Sequence, residues 1–216
     1  MRTLHALRLR AEGIADAVAA VVSHGGTVIF PTDTVYGLGC DPMSTAAVET
    51  IFVLKGRPAH KPLSLHFASV AELLEYAPNC DAARRVAQRF LPGPLTLIVR
   101  RPSFVGSAVT RGGDTIGLRV PKHALCATIL ERCGPLAATS ANYSGLPAFA
   151  GTAKEPLPAA DLLVDDGPTP IGVESTIVDV STGELRLVRE GAINVELLER
   201  ELGAIVPARS GRGEAR

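Results

Sequence analysis

The sequence predicts an α/β protein built around a mixed β-sheet, and three observations carry that prediction. Short apolar runs rich in β-branched residues alternate with segments whose apolar residues recur at i, i+3 and i+4. Glycine or proline marks nearly every changeover. Of 216 residues, 46% are hydrophobic and 20% charged, the balance of a globular chain that makes its own core.

The elements follow in order. Gly13 to His24 puts Ile14, Val18, Val21 and Val22 on one helical face and stops at Gly25 and Gly26. Thr27 to Phe30 is a short strand closed by Pro31. Ser44 caps a helix that runs to Lys55, with Val48, Ile51 and Phe52 inward and Gly56 as its stop. Leu63 to Phe67 is a strand, and Ser69 with Glu72 forms a capping box for a helix to Tyr76. Asp81 caps the next helix, which carries Ala83, Val86, Ala87 and Phe90 on one stripe until Pro92 and Pro94 break it. Leu95 to Val99 and Thr115 to Val120 are strands, and Pro121 opens a helix to Glu131. Leu136 to Thr139, Leu162 to Val164 and Ser175 to Val180 complete the apolar runs, the last turning at 181–184 into Leu185 to Val188 as a hairpin. Asn194 caps a final short helix. The expectation is one domain over residues 1–206 and a small, polar, Gly/Arg-rich tail over 207–216.

Composition narrows the function. Lys plus Arg and Asp plus Glu are 22 each, so the formal charge is zero. That argues against a general nucleic-acid coat or a polybasic membrane binder and leaves a local basic patch open. No run of about 18 apolar residues exists, and Met1 to Arg10 lacks the apolar stretch of a signal peptide. Cys40, Cys80, Cys126 and Cys133 are scattered without metal-site spacing. Reduced thiols in a cytoplasmic protein with no membrane partner are the expectation. There is no P-loop, no dinucleotide fingerprint, no nucleophile elbow and no metal-ligand cluster. Phosphate chemistry here needs a different cradle.

Four segments carry chemistry. Pro31 to Gly39 follows a strand and offers Thr32, Thr34 and close-approach glycines, at the place where α/β sheets bind ligands, although composition alone favours an ordinary strand-to-helix loop. Lys55, Arg57 and Lys61 hold two of the chain's four lysines with no acid between them. Like charges held this close repel by about 1 kcal/mol per pair in water, and a triphosphate would relieve them. A solvated basic loop at a helix C-terminus is the plainer reading. Thr139, Ser140 and Asn142 place three compact polar groups at one strand end. Arg119 interrupts an apolar strand and needs an anionic partner, either a protein carboxylate or a ligand carboxylate. Glu174-Ser175-Thr176 and Arg189-Glu190-Gly191 are weaker hints.

In this order the segments resemble one family. GGTVIFPTDTVYGLGCD (25–41), KGRPAHKPLSLHF (55–67), LPGPLTLIV (91–99), TIGLRVP (115–121), PLAATSANYSGLPA (135–148), GVESTIVDV (172–180) and LVREG (187–191) look like the YrdC-like domain of L-threonylcarbamoyladenylate synthases. The resemblance covers about residues 13 to 192 and implies a twisted, open α/β sheet with flanking helices and a concave, positively lined groove. It implies a nucleotidyltransferase that makes threonylcarbamoyl-AMP and pyrophosphate from L-threonine, bicarbonate and ATP. The product serves the modification of the adenosine beside the anticodon in ANN-decoding tRNAs, so a threonylcarbamoyl transferase complex would consume it. Direct tRNA contact is left open.

Residue by residue, the K-x-R and S-x-N patterns match Lys55/Arg57, the expected catalytic pair, and Ser140/Asn142. The resemblance assigns Thr34, His66, Arg119, Thr139 and Ser175 to threonine. It assigns Lys55, Arg57, Lys61, Thr115, Ser140, Asn142 and Arg189 to ATP, with Mg²⁺ accompanying the nucleotide and no protein metal site marked. Three positions depart from the pattern. Asp33 replaces a frequent Glu, Lys61 a frequent Asn, and Ala148 a small hydroxyl residue. The chain also resembles the family's short form, ending soon after Gly191. Competing readings are an RNA-binding module, disfavoured by 4% aromatic residues and no Trp, a carbamoyl-adenylate enzyme of hydrogenase maturation, and a vestigial site.

Overall fold

The computed structural model describes residues 1–6, 9–151 and 156–207. Its strands are β1 (Arg2–His5), β2 (Val28–Phe30), β3 (Gly37–Cys40), β4 (Ser64–His66), β5 (Leu95–Arg100), β6 (Thr115–Arg119), β7 (Leu136–Ser140), β8 (Leu162–Asp165), β9 (Thr176–Asp179), β10 (Arg186–Arg189) and β11 (Val206–Pro207). Its helices are α1 (Ala11–Ser23), α2 (Thr45–Lys55), α3 (Val70–Glu75), α4 (Asp81–Phe90), α5 (Ser107–Thr110), α6 (Ala124–Cys133) and α7 (Val195–Leu202). The strands form one open mixed sheet in the order β1-β8-β2-β3-β7-β4-β6-β5-β9-β10-β11.

Side-chain alternation gives the sheet two different faces. Ile29, Leu38, Leu65, Leu97, Leu118 and Val178 point to one face, which α2, α3, α4, α5 and α7 cover as the larger core. Leu4, Val28, Phe30, Leu136, Leu162 and Val164 point to the other, which α1 and α6 cover. The α1/α6 layer packs over the β1-β8-β2 side of the sheet, with Leu136 and Ala138 of β7 at its margin. Beyond that margin the same face of β4, β6, β5 and β9 carries a groove instead of a helix.

Most predicted boundaries hold within two residues, and three of the four predicted side-chain caps hold in detail. Ser44 Oγ accepts from Ala47 N at 3.2 Å, Ser69 Oγ from Glu72 N at 3.2 Å and Asn194 Oδ1 from Leu197 N at 3.0 Å. Four corrections have physical reasons. Asp81 is the first residue of α4, and Cys80 sits at the N-cap without a side-chain bond. Pro121 does not open α6, which starts three residues later at Ala124 with His123 as its cap, the His123 Nδ1 accepting from Cys126 N at 3.3 Å. The run Gly37–Cys40 is a strand rather than loop. A Cβ at Gly37 or Gly39 would meet the Phe30 ring at 2.9 or 2.8 Å. Burying Phe30 is worth about 1.5–3 kcal/mol, more than the roughly 0.5–1 kcal/mol that a strand glycine costs. β1 was not anticipated; it pairs in parallel with β8, which no local pattern signals. Of the expected tail, Pro207 pairs with Leu187, and the rest lies outside the described residues.

Candidate active site

The uncovered half of the sheet face is a groove of about 200 Å³. Its floor is written in alternate residues of neighbouring strands: Ser64 and His66, Gly117 and Arg119, Thr96 and Ile98, Ala138 and Ser140, Ser175 and Ile177. Each pair is two residues apart, and those on β4, β6 and β5 flank Leu65, Leu118 and Leu97, which are buried on the opposite side. Gly117 keeps the floor deep, since a Cβ there would stand 3.1 Å from Ser64 Cβ and 3.2 Å from Thr96 Cγ2. Arg57, Thr139, Glu174 and Arg189 complete the walls.

At the buried end, Arg119 Nη2 donates to Asp33 Oδ1 at 2.6 Å, and both side chains are 5% exposed. Asp33 arrives on the loop after β2. Thr32 shapes that loop by donating Oγ1 to Val35 O at 2.6 Å and accepting from Thr34 N at 3.2 Å. Arg119 therefore has a protein carboxylate, the partner that the sequence left undecided and that Asp33 alone did not advertise. The pairing is incomplete: Asp33 Oδ2 and Arg119 Nε are buried without partners.

His66 stands beside Arg119 in the β4/β6 register and meets Phe30 edge-on at 6.0 Å. Burial, then the Arg119 charge, pushes its imidazole down to about 3. It is a neutral ring at physiological pH, fit to position a ligand and unfit to carry a proton as a cation. The unfolded chain takes up its proton from about 6.5 downward and the folded one does not. His66 therefore contributes stability above pH 6.5 that is lost as the pH falls toward 3. We expect the His66 ring resonances to stay constant between pH 5 and 8 in an NMR titration; a midpoint near 6.5 would contradict this environment.

At the other end the two sequence patterns meet in one knot. Lys55 is 3% exposed, and its Nζ donates to Ser140 O at 2.7 Å, Asn142 O at 2.6 Å and Asn142 Oδ1 at 2.7 Å. An ammonium has three donors, so these bonds use all of them. Burial, then the neighbouring Arg57 charge, lowers Lys55 to about 8, while Glu174 opposes the shift. Asn142 is equally committed, accepting from Ser140 Oγ at 2.7 Å and donating to Leu146 O at 2.6 Å. Lys55 and Asn142 thus hold the turn that presents Thr139 and Ser140, and neither lines the groove.

Arg57 does line it. Nε donates to Lys61 O at 3.0 Å, Nη1 to Thr139 Oγ1 at 3.0 Å and Nη2 to Pro62 O at 2.7 Å. That leaves two of its five N–H groups. Arg189 Nη1 donates to Glu174 Oε2 at 2.8 Å and Nη2 to Ser175 O at 2.8 Å. Ser175 Oγ pairs with Thr96 Oγ1 at 2.8 Å. Groove and wall together set four cations, Lys55, Arg57, Arg119 and Arg189, against the carboxylates of Asp33 and Glu174.

Of the residues expected at a site, Arg57, His66, Arg119, Thr139, Ser140, Ser175 and Arg189 converge on this groove. Thr34 does not line it; its hydroxyl lies 3.1 Å from Thr32 Oγ1, and Thr32 takes the wall position. Thr115 lies on the groove face of β6, two residues from Gly117 and beyond the lining. Lys61 is exposed and touches the wall through its carbonyl. Ser64, Thr96 and Glu174 are lining residues that motif reading passed over or underweighted; the alternation of polar residues with leucines was the available signal. No group of three or more metal-ligating side chains occurs among the described residues. One groove carboxylate beside hydroxyls still fits a Mg²⁺ ion that takes most of its oxygens from phosphate and water.

Fold and groove define the class: an open-sheet α/β protein whose uncovered sheet face forms a groove lined by Arg57, Arg119 and Arg189. A family model described as "Telomere recombination" (Sua5_yciO_yrdC) matches residues 20–191. The chain belongs to the Sua5/YciO/YrdC family. The threonylcarbamoyl-AMP synthase of Pyrococcus abyssi is 38% identical over 192 residues, covering 87% of this chain and 56% of that protein. The enzyme of the same name from Bacillus subtilis is 39% identical over 196 residues, with the same shares. The chain thus spans a little over half the length of these two relatives. A crystal structure of P. abyssi Sua5 complexed with L-threonine superposes with a TM-score of 0.87 at 35% identity, covering 100% of this chain and 64% of that one.

Proposed function

We propose that this chain forms threonylcarbamoyl-AMP and pyrophosphate from L-threonine, bicarbonate and ATP, for use by a threonylcarbamoyl transferase complex in tRNA modification. The observation that carries the reading is the division of charge within one groove. Arg119, buried and balanced by Asp33, marks an amino-acid end beside neutral His66. Arg57 and Arg189, flanking Glu174, mark a polyphosphate end.

Threonine's carboxylate pairs with Arg119, with Thr139, Ser175 and His66 around its body and side-chain hydroxyl. Hydroxyl partners of this kind select against analogues that lack the group. The neutral amine combines with bicarbonate to give an N-carboxylate and water. A carboxylate oxygen then attacks the α-phosphorus of ATP, and the bond to the β-phosphate breaks with its electron pair leaving on pyrophosphate. Arg57, Arg189 and Ser140 hold the triphosphate, with Thr115 and Lys61 farther out. Lys55 and Asn142 act through the Ser140 turn, and Thr34 through Thr32. Mg²⁺ bound with the nucleotide supplies further charge neutralisation. The protein's part is positioning and electrostatics.

The decisive experiment is pyrophosphate release from ATP with Mg²⁺, with the nucleotide product weighed by mass spectrometry. Release that needs both threonine and bicarbonate, with an adenylate of threonylcarbamate mass, is the expected result. Protein that binds ATP and threonine yet releases nothing would make this a binding module.

A further inference from the structure

We infer that Glu174 is an exchangeable carboxylate that releases Arg189 to the incoming triphosphate and turns to the Mg²⁺ that accompanies it. The inference rests on the nucleotide reading above and adds to it the residue that couples metal to nucleotide.

Glu174 is the one carboxylate lining the groove among the described residues. It sits where a polyanion would sit: Arg189 donates to it at 2.8 Å, and its charge opposes the lowering that burial imposes on Lys55 and Arg57. In the ligand-free protein it occupies the anion slot, and phosphate cannot reach the same Arg189 edge while it stays.

The local architecture lets the carboxylate leave without disturbing anything else. Its side chain is 39% exposed, so only exposed torsions need turn. Its backbone is locked: Glu174 O accepts from Ala192 N at 3.0 Å, and a Cβ on Gly191 would lie 2.3 Å from that carbonyl. Arg189 stays in place when the pair opens, because Ser175 O accepts from both Nη2 and Nε, at 2.8 and 3.3 Å. A displaced carboxylate beside a triphosphate has one favourable destination. Mg²⁺ binds through one or two carboxylates plus substrate phosphates, and no protein-only cluster competes for it among the described residues. Exchange replaces one Arg–carboxylate pair by an Arg–phosphate pair and a carboxylate–metal contact, so bringing charge into the groove leaves no ion unpartnered.

The test is calorimetric titration of ATP into wild type and Glu174→Gln, each in EDTA and in Mg²⁺. For wild type, Mg²⁺ should tighten ATP binding at least about tenfold. For Glu174→Gln, metal-free ATP should bind about three- to tenfold tighter than to wild type, and the gain from Mg²⁺ should fall below about twofold. Glu174→Asp, which keeps the charge on a shorter arm, should retain part of the gain. A Glu174→Gln protein that keeps the full Mg²⁺ gain overturns the inference, as does one that tightens equally in both media. Wild type that binds ATP without any Mg²⁺ gain also overturns it while sparing the nucleotide reading. Wild type that binds no ATP removes both.

Discussion

Arg57→Ala is expected to lower threonine-dependent pyrophosphate release by more than about tenfold, or about 1.4 kcal/mol of transition-state stabilisation, in a protein that still unfolds cooperatively. The side chain reaches the groove wall with two N–H groups unspent after those given to Lys61 O, Pro62 O and Thr139 Oγ1. Those three bonds lie at the surface or partly buried, and each contributes about 0.5–1.5 kcal/mol net, so their loss weakens the fold without abolishing it. The catalytic loss is distinct from that weakening, because on the proposed reading the charge acts where solvent is thin and triphosphate charge builds up. Arg57→Lys should not restore activity, since an ammonium cannot span Lys61 O, Pro62 O and Thr139 together with a phosphate. The measurement is kcat/KM for ATP at saturating threonine. Near-normal turnover in Arg57→Ala would detach the polyphosphate end of the groove from the reaction.

The sequence alone points to Arg57 and to Lys55 with equal force, and the structure separates them. Both are basic residues at a helix C-terminus next to a proline-marked loop, and spacing cannot say which one faces the ligand. The difference is burial. Lys55 is the last residue of α2 and its ammonium closes on the Ser140–Asn142 turn, a contact between elements more than eighty residues apart. Long-range closure of this kind leaves no local trace. His123 as a cap and Gly37–Cys40 as a strand escaped for more local reasons. The cap uses an uncommon side chain, and the strand depends on a ring from β2 filling the place of two side chains.

Much else was legible because one physical rule wrote it twice. Alternation along β4, β6, β5 and β9 puts leucines into the larger core and Ser64, His66, Gly117, Arg119 and Ser175 onto the groove floor. Ser64, His66, Thr96 and Arg119 interrupt apolar runs and become floor residues once the order β7-β4-β6-β5-β9 is known. That order is the missing piece: of the neighbouring pairs in it only β6 and β5 are consecutive in the chain, so the run of floor residues across five strands exists only in the folded sheet. Asp33 shows the limit most plainly. It looks like an ordinary loop acid, and only the folded chain brings the Arg119 guanidinium, 86 residues away, onto it.

That buried pair makes the second large effect separable into fold and ligand. Arg119→Met removes the cation and leaves the Asp33 carboxylate at 5% exposure with no counter-charge, a change that typically costs about 3–5 kcal/mol. Adding Asp33→Asn removes the orphaned charge, so the double variant should recover most of that loss in a chemical unfolding curve. Threonine binding should not recover with it. In the proposed reaction the groove face of Arg119 is the cation offered to the amino-acid carboxylate, and neither Met nor Asn would replace it. The double variant should therefore be folded, should bind ATP within about twofold of wild type, and should bind threonine at least about tenfold more weakly. Equal threonine affinity in wild type and double variant would move the carboxylate site away from Arg119. A single variant as stable as wild type would mean that Asp33 is solvated or protonated when the arginine is gone. The expected pattern, stability rescued and threonine lost, assigns Asp33 to holding the arginine and Arg119 to holding the substrate.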